Sequence, residues 1–125
     1  MCHVHDWLEL TTGAAAVTQA RLLVREHAAQ AGFPDDGGVA ELLTSELVMN
    51  AVVQGASAAV CIRVRASPPE LSVEVRDGSA GLPHRRRPDG ERGGYGLQLV
   101  AALASDWGFE LEDGGKRVWF RLRSE

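Results

Sequence analysis

From Ala14 to Ala31, apolar side chains at Val17, Ala20, Leu23, Val24, Ala28 and Ala31 return every three or four residues. That is the period of a helix with one buried stripe, and Gly32 is placed to end it. After the break Pro34-Asp35-Asp36-Gly37-Gly38, the stretch Val39 to Val53 repeats the pattern with Leu43, Leu47 and Ala51 stacked four apart, which predicts a second helix. The period then falls to two. Val60, Ile62 and Val64 alternate with other residues, and Leu71, Val73 and Val75 do so again after Pro68-Pro69, the signature of a strand pair. Leu97, Val100, Ala101 and Ala104 predict a third helix, and strands follow at Trp107 to Leu111 and Val118 to Leu122 around Asp113-Gly114-Gly115. Val4 to Leu10 supplies a first strand through Val4, Leu8 and Leu10.

The predicted order is therefore β-α-α-β-β-α-β-β. Consecutive strands in the second half can pair as hairpins, while the helices must bury their stripes against one sheet face. The expected class is α+β: a two-layer α/β sandwich with helices on one face of a mixed, mainly antiparallel sheet. Between Asp77 and Gly94 the periodicity lapses into a Gly-, Pro- and Arg-rich segment, the kind of loop that carries function.

Composition narrows the functional classes. The 125 residues suit one domain, 1–125, since a single core organises roughly 100 to 150 residues. Thirteen basic residues against seventeen acidic ones give a net charge of −4, so the overall basic footprint of a nucleic-acid binder is missing. No apolar run reaches the ~18 residues of a membrane span, and the first residues lack a signal pattern, which gives a cytoplasmic expectation without membrane attachment. Cys2 and Cys61 form no disulfide framework, leaving stability to packing. Cys2, His3 and His5 read as a frayed terminus in preference to a metal site, because no fourth ligand is evident. His84 with Arg85, Arg86 and Arg87 reads as a solvated lid before an anion grip, and Trp107, Trp119 and Phe120 as strand or core aromatics.

The usual nucleotide signatures fail. Gly115-Lys116 continues into Arg117 and has Glu110 where a phosphate loop needs its first glycine, while Gly94-Tyr95-Gly96 has Leu99 where a dinucleotide fingerprint needs its third. Three other segments stand in order: Glu46-Leu47-Val48-Met49-Asn50-Ala51, Val75-Arg76-Asp77-Gly78-Ser79-Ala80-Gly81, and Gly93-Gly94-Tyr95-Gly96-Leu97-Gln98-Leu99-Val100. Over roughly Leu8 to Arg123 this constellation resembles the GHKL ATPases, with their asparagine box and two glycine boxes. Within them it looks most like the small bacterial anti-sigma factors and serine-protein kinases, whose final strand resembles Gly115-Lys116-Arg117-Val118-Trp119.

The resemblance implies a Bergerat-type fold binding ATP and Mg²⁺, with Asn50, Asp77, Gly81, Gly94, Gly96 and Leu97 at the nucleotide, Asn50 on the metal and Glu46 catalytic. Glu46 and Asn50 are four apart, so a helix sets both on one stripe. An amide oxygen suits a hard cation, and a neighbouring carboxylate can deprotonate an attacking hydroxyl. Two surface polar residues would have the same spacing. Asp77 offers an acceptor for an exocyclic amine, the adenine role in the family, although Asp-Gly alone also makes a turn. Gly81 permits close approach of the base, and Gly94 and Gly96 precede a helix whose first amides are unsatisfied.

The implied activity is that of a serine/threonine protein kinase acting on an anti-anti-sigma-like protein, with a sigma factor as a further partner and a homodimer as a possible assembly. The alternative is a nucleotide-gated protein-binding module without catalysis. Gln54, Tyr95 and Arg117 depart from residues common in the family, and Arg117 in particular is expected to remove a hydroxyl from the pocket.

Overall fold

A computed structural model describes residues 6–11, 13–35, 38–55, 59–78, 96–112 and 115–124, the side chains of 53–55 excepted. The elements are β1 (Leu8–Glu9), α1 (Ala14–Ala31), α2 (Val39–Gly55), β2 (Val60–Ser67), β3 (Glu70–Asp77), α3 (Gly96–Leu103), β4 (Asp106–Glu112) and β5 (Gly115–Arg123). The strands form one sheet in the order β1-β2-β3-β5-β4, and among the described residues every pairing is antiparallel. The helices cover one face, giving the expected two-layer α+β sandwich. No helix among the described residues is long and apolar enough to cross a membrane.

Local chemistry sets the element ends. Gly32 takes a left-handed conformation (φ 74°), so its N–H reaches the Ala29 carbonyl at 3.2 Å and the Phe33 N–H the Ala28 carbonyl at 2.9 Å. Phe33 then turns back into the core, closing a helix end that only glycine adopts without strain. α2 begins where the Asp35 carboxylate accepts the Ala40 N–H at 2.8 Å. Among the described residues β1 covers Leu8–Glu9 of the Val4-to-Leu10 expectation, Val4 and His5 lying outside them. Leu8 lies opposite Ile62 but at the sheet edge, where it stays exposed, while Leu10 is the residue that enters the core.

Side-chain alternation puts Leu71, Val73 and Val75 of β3 on the helix face, opposite Leu122, Phe120 and Val118 of β5. α1 contributes Ala16, Ala20, Val24 and Ala28 to the same core, one stripe at intervals of four. α2 packs against α1, α3, β2, β3 and β5, and its Ala40, Leu43, Leu47, Val48 and Ala51 are all buried. It is an enclosed helix between layers, so most of its circumference is apolar.

The other sheet face is polar and held by ions. Arg63 and Arg117 both bond Glu74, at 2.7 and 3.1 Å, and Arg76 bonds Glu112 at 2.8 Å. Trp7 lies over this face with the Arg63 and Arg76 guanidinium groups 4.6 and 4.3 Å from its ring centre. Burial alone would raise the Glu74 carboxyl, but the hydrogen bonds and charges of Arg63 and Arg117 outweigh it and hold the group below its usual range. Cys61, fully buried in β2, is disulfide-bonded, which corrects the expectation that the cysteines add no cross-link.

A Cβ on Gly115 would sit 2.0 Å from the Asp77 carbonyl oxygen, so β5 can start against the end of β3 only with glycine there. Gly115→Ala is expected to lower stability by about 3 kcal/mol, the upper end of the overpacking range, because the obstacle is backbone and cannot rotate away. Denaturant unfolding measures it. Glu74, whose folded pKa is depressed, contributes stability above the unfolded value near 4.3 and loses it as pH falls through the lower folded value. Glu74→Gln should therefore be less stable than wild type at neutral pH, and the difference should close in acid when unfolding is followed against pH.

Candidate functional site

Strand alternation carries a charge to the inner face at one end of the sheet. Two residues beyond Val75, the next inward position on β3 is Asp77; two before Val118, the corresponding position on β5 is Lys116. The two are direct partners in the register, and their side chains are 1% and 0% exposed. Lys116 Nζ donates to Asp77 Oδ2 at 3.0 Å and Oδ1 at 3.3 Å. A stripe of apolar pairs thus ends in a buried ion pair, and Gly115 is what lets the backbones close there.

α2 supplies Glu46 and Asn50 one turn apart. Its other buried polar groups are satisfied locally: the Thr44 hydroxyl donates to the Ala40 carbonyl at 2.7 Å and the Ser45 hydroxyl to the Glu41 carbonyl at 3.0 Å. Asn50 is 4% exposed, yet among the described residues its amide has no side-chain partner. An amide buried without a hydrogen bond costs about 1–3 kcal/mol, so this oxygen and nitrogen suit a ligand absent from the folded chain alone. The donor type fits Mg²⁺, which accepts neutral oxygen. Glu46 is half-buried and engaged by other groups. Two arginines of α1 steady the helix: Arg25 bonds Glu41 at 2.9 Å and Arg21 approaches it at 3.7 Å, and the Arg25 hydrogen bond leads in holding the Glu41 carboxyl below its usual range.

Gly96 opens α3, and Leu97 follows as a buried core residue, 2% exposed. Gly81 and Gly94 lie outside the described residues, as do Tyr95 and the arginines 85–87; the Gln54 side chain does as well. Arg117 overturns one expectation. It faces the solvent side, bonding Glu74 and Glu110 and lying 3.6 Å from Glu112, so its replacement of a hydroxyl residue cannot alter the face that carries Asp77. Alternation along β5 points Lys116 there instead. Sequence reading passed over Lys116 as part of a failed phosphate-loop pattern, although its period-two spacing from Val118 and Phe120 already set it on the apolar face. Among the aromatics, Phe120 is core and Trp107 packs against it, whereas Trp119 lies on the outer face beneath Arg121, 4.7 Å from its ring centre.

The pattern of the histidine kinase-like ATPase domain matches residues 10–122. Among solved structures, the RsbU and RsbW domains of Rv1364c from Mycobacterium tuberculosis align with a TM-score of 0.66 at 21% identity, over 94% of this chain and 31% of that one. The blue-light activated histidine kinase of Erythrobacter litoralis EL346 aligns at 0.56 and 21% identity, over 87% and 41%. The Acinetobacter baumannii histidine kinase AdeS aligns at 0.56 and 14% identity, over 96% and 68%. The chain thus spans about a third and two fifths of the first two, and at these identities the likeness is one of fold. A sequence comparison with curated proteins finds no match. Coverage of nearly the whole chain by one family pattern, together with the fold, makes this protein a member of the histidine kinase-like ATPase domain family within the GHKL superfamily, for which ATP is the implied ligand.

Proposed function

We propose that the protein binds ATP with Mg²⁺ and transfers the γ-phosphate to a serine or threonine of an anti-anti-sigma-like partner, as a regulatory kinase of the anti-sigma type. The observation that carries this reading is the buried Asn50 amide, without a side-chain partner among the described residues and one helical turn from Glu46. Asp77, held at an inward strand end, supports recognition of the base, and the RsbW domain that shares this fold is in keeping with the regulatory class.

Asn50 Oδ1 is the protein's ligand for Mg²⁺, which when bound neutralises phosphate charge. Asp77 accepts from the exocyclic amine and so orients the base. Glu46 accepts the proton of the incoming hydroxyl as its oxygen bonds phosphorus and the bond to the β–γ bridging oxygen breaks, releasing ADP. A sigma factor as second partner, and a homodimer, belong to the same reading.

Asn50→Ala should leave the nucleotide-free protein at least as stable as wild type, since alanine favours helix and no hydrogen bond is lost, while weakening Mg²⁺-dependent ATP binding. Thermal unfolding and titration with ATP with and without magnesium test both halves; an unchanged magnesium response removes Asn50 from the site. Glu46→Gln should bind ATP like wild type but lose transfer by about 10²-fold or more. The assay follows phosphoserine on a genomic-neighbour antagonist incubated with labelled ATP. Wild-type protein that binds ATP but labels no such partner would favour the nucleotide-gated binding module.

A further inference from the structure

Lys116 is the largest fully buried side chain among the described residues, and it is an ammonium, the group that burial penalises most. Its tertiary neighbours on the inner face are the apolar pairs of β3 and β5, and among the described residues its only polar partner is Asp77. An ammonium carries three N–H donors, whereas the Asp77 carboxylate presents two oxygens, at 3.0 and 3.3 Å. Among the described residues at least one donor is therefore buried without an acceptor, beside the carboxylate proposed to read the base.

A carboxylate and an ammonium side by side form an acceptor–donor pair. The pairing edge of adenine carries the complementary sequence, an exocyclic amine that donates and an adjacent ring nitrogen, N1, that accepts. In the same pose guanine would turn a carbonyl toward the carboxylate and an N–H toward the ammonium, so both contacts would repel. We propose that Lys116 is a second base-reading residue, its ammonium donating to adenine N1 while Asp77 accepts from the neighbouring amine. The inference rests on the nucleotide-binding reading and adds to it the residue that sets base specificity. It also accounts for a lysine at an inward position where valine or leucine would complete the core: hydrophobic replacements of buried ion pairs are frequently as stable or more so, so packing alone does not call for this pair.

The test is titration calorimetry of the whole chain with Mg²⁺ and three probes: ATP, 1-deaza-ATP, in which a C–H replaces N1, and GTP. Wild type is expected to bind ATP about tenfold or more tightly than 1-deaza-ATP, the scale of one hydrogen bond to a charged group, and GTP more weakly still. Lys116→Met, close in length and uncharged, should bind ATP and 1-deaza-ATP equally. A merely structural lysine would shift both affinities together and leave their ratio intact. Should the variant fail to fold, the wild-type ratio decides alone. Equal binding of ATP and 1-deaza-ATP by wild type, or a GTP affinity matching that for ATP, overturns the role of Lys116 while leaving nucleotide binding standing. Absence of ATP binding by wild type overturns the nucleotide reading itself, and this inference with it.

Discussion

The antiparallel register of β3 against β5 fixes the site, because it determines which side chains share the inner face and where the apolar pairing stops. Leu71 with Leu122, Val73 with Phe120 and Val75 with Val118 continue without a break into Asp77 with Lys116. A slip of β3 by one residue would turn Asp77 to solvent and bring Arg76 into the core, at a desolvation cost of several kcal/mol. The core therefore enforces the geometry of the charged pair. Gly115 is part of the same constraint, since any Cβ at that point would meet the Asp77 carbonyl.

α2 links this sheet end to the second half of the site. It is enclosed by α1, α3 and the sheet, so its axis and rotation are fixed by packing on several sides, and residues four apart on it keep a constant relation to β3. The Thr44 and Ser45 hydroxyls return to the helix backbone, leaving the Asn50 amide as the group that the enclosed helix does not satisfy by itself. Such an amide weakens a core unless a ligand completes it. Its place on an enclosed helix would suit the proposed Mg²⁺, which would demand a ligand that moves little.

Periodicity carried most of the fold into view from the sequence. α1 begins and ends where the spacing and Gly32 set it, and the hairpin of β2 and β3 turns at Pro68-Pro69. The weak point was β1, where edge position left Leu8 exposed while Leu10 entered the core, a difference that period alone could not give. Of the proposed site, Glu46, Asn50 and Asp77 were legible because ordered segments carried them. Lys116 was not, although the information was present: reading Lys116, Val118, Phe120 and Leu122 as one alternating face sets the lysine beside whatever lies opposite. The missing step was the pairing of β3 with β5, a long-range relation that no local pattern contains. The same omission misplaced Arg117, whose effect on the pocket was judged by its departure from the family's residue and not by its face.

The two faces of the sheet thus divide the work along one alternating chain. Neighbours in sequence, Arg76 and Asp77, or Lys116 and Arg117, point to opposite sides and meet different demands. On the outer face, charge is partly hydrated, shared among Arg63, Arg117 and Glu74, and flanked by Trp7, so single substitutions can be absorbed by remaining partners. On the inner face Asp77 and Lys116 are almost fully enclosed, and removing the carboxylate leaves the buried ammonium without its one polar partner among the described residues. Departures from a family pattern on such a strand carry opposite meanings by parity. An odd-numbered change on β5, such as Arg117, tunes the ionic surface, whereas an even-numbered one at Lys116 changes the buried charge beside Asp77.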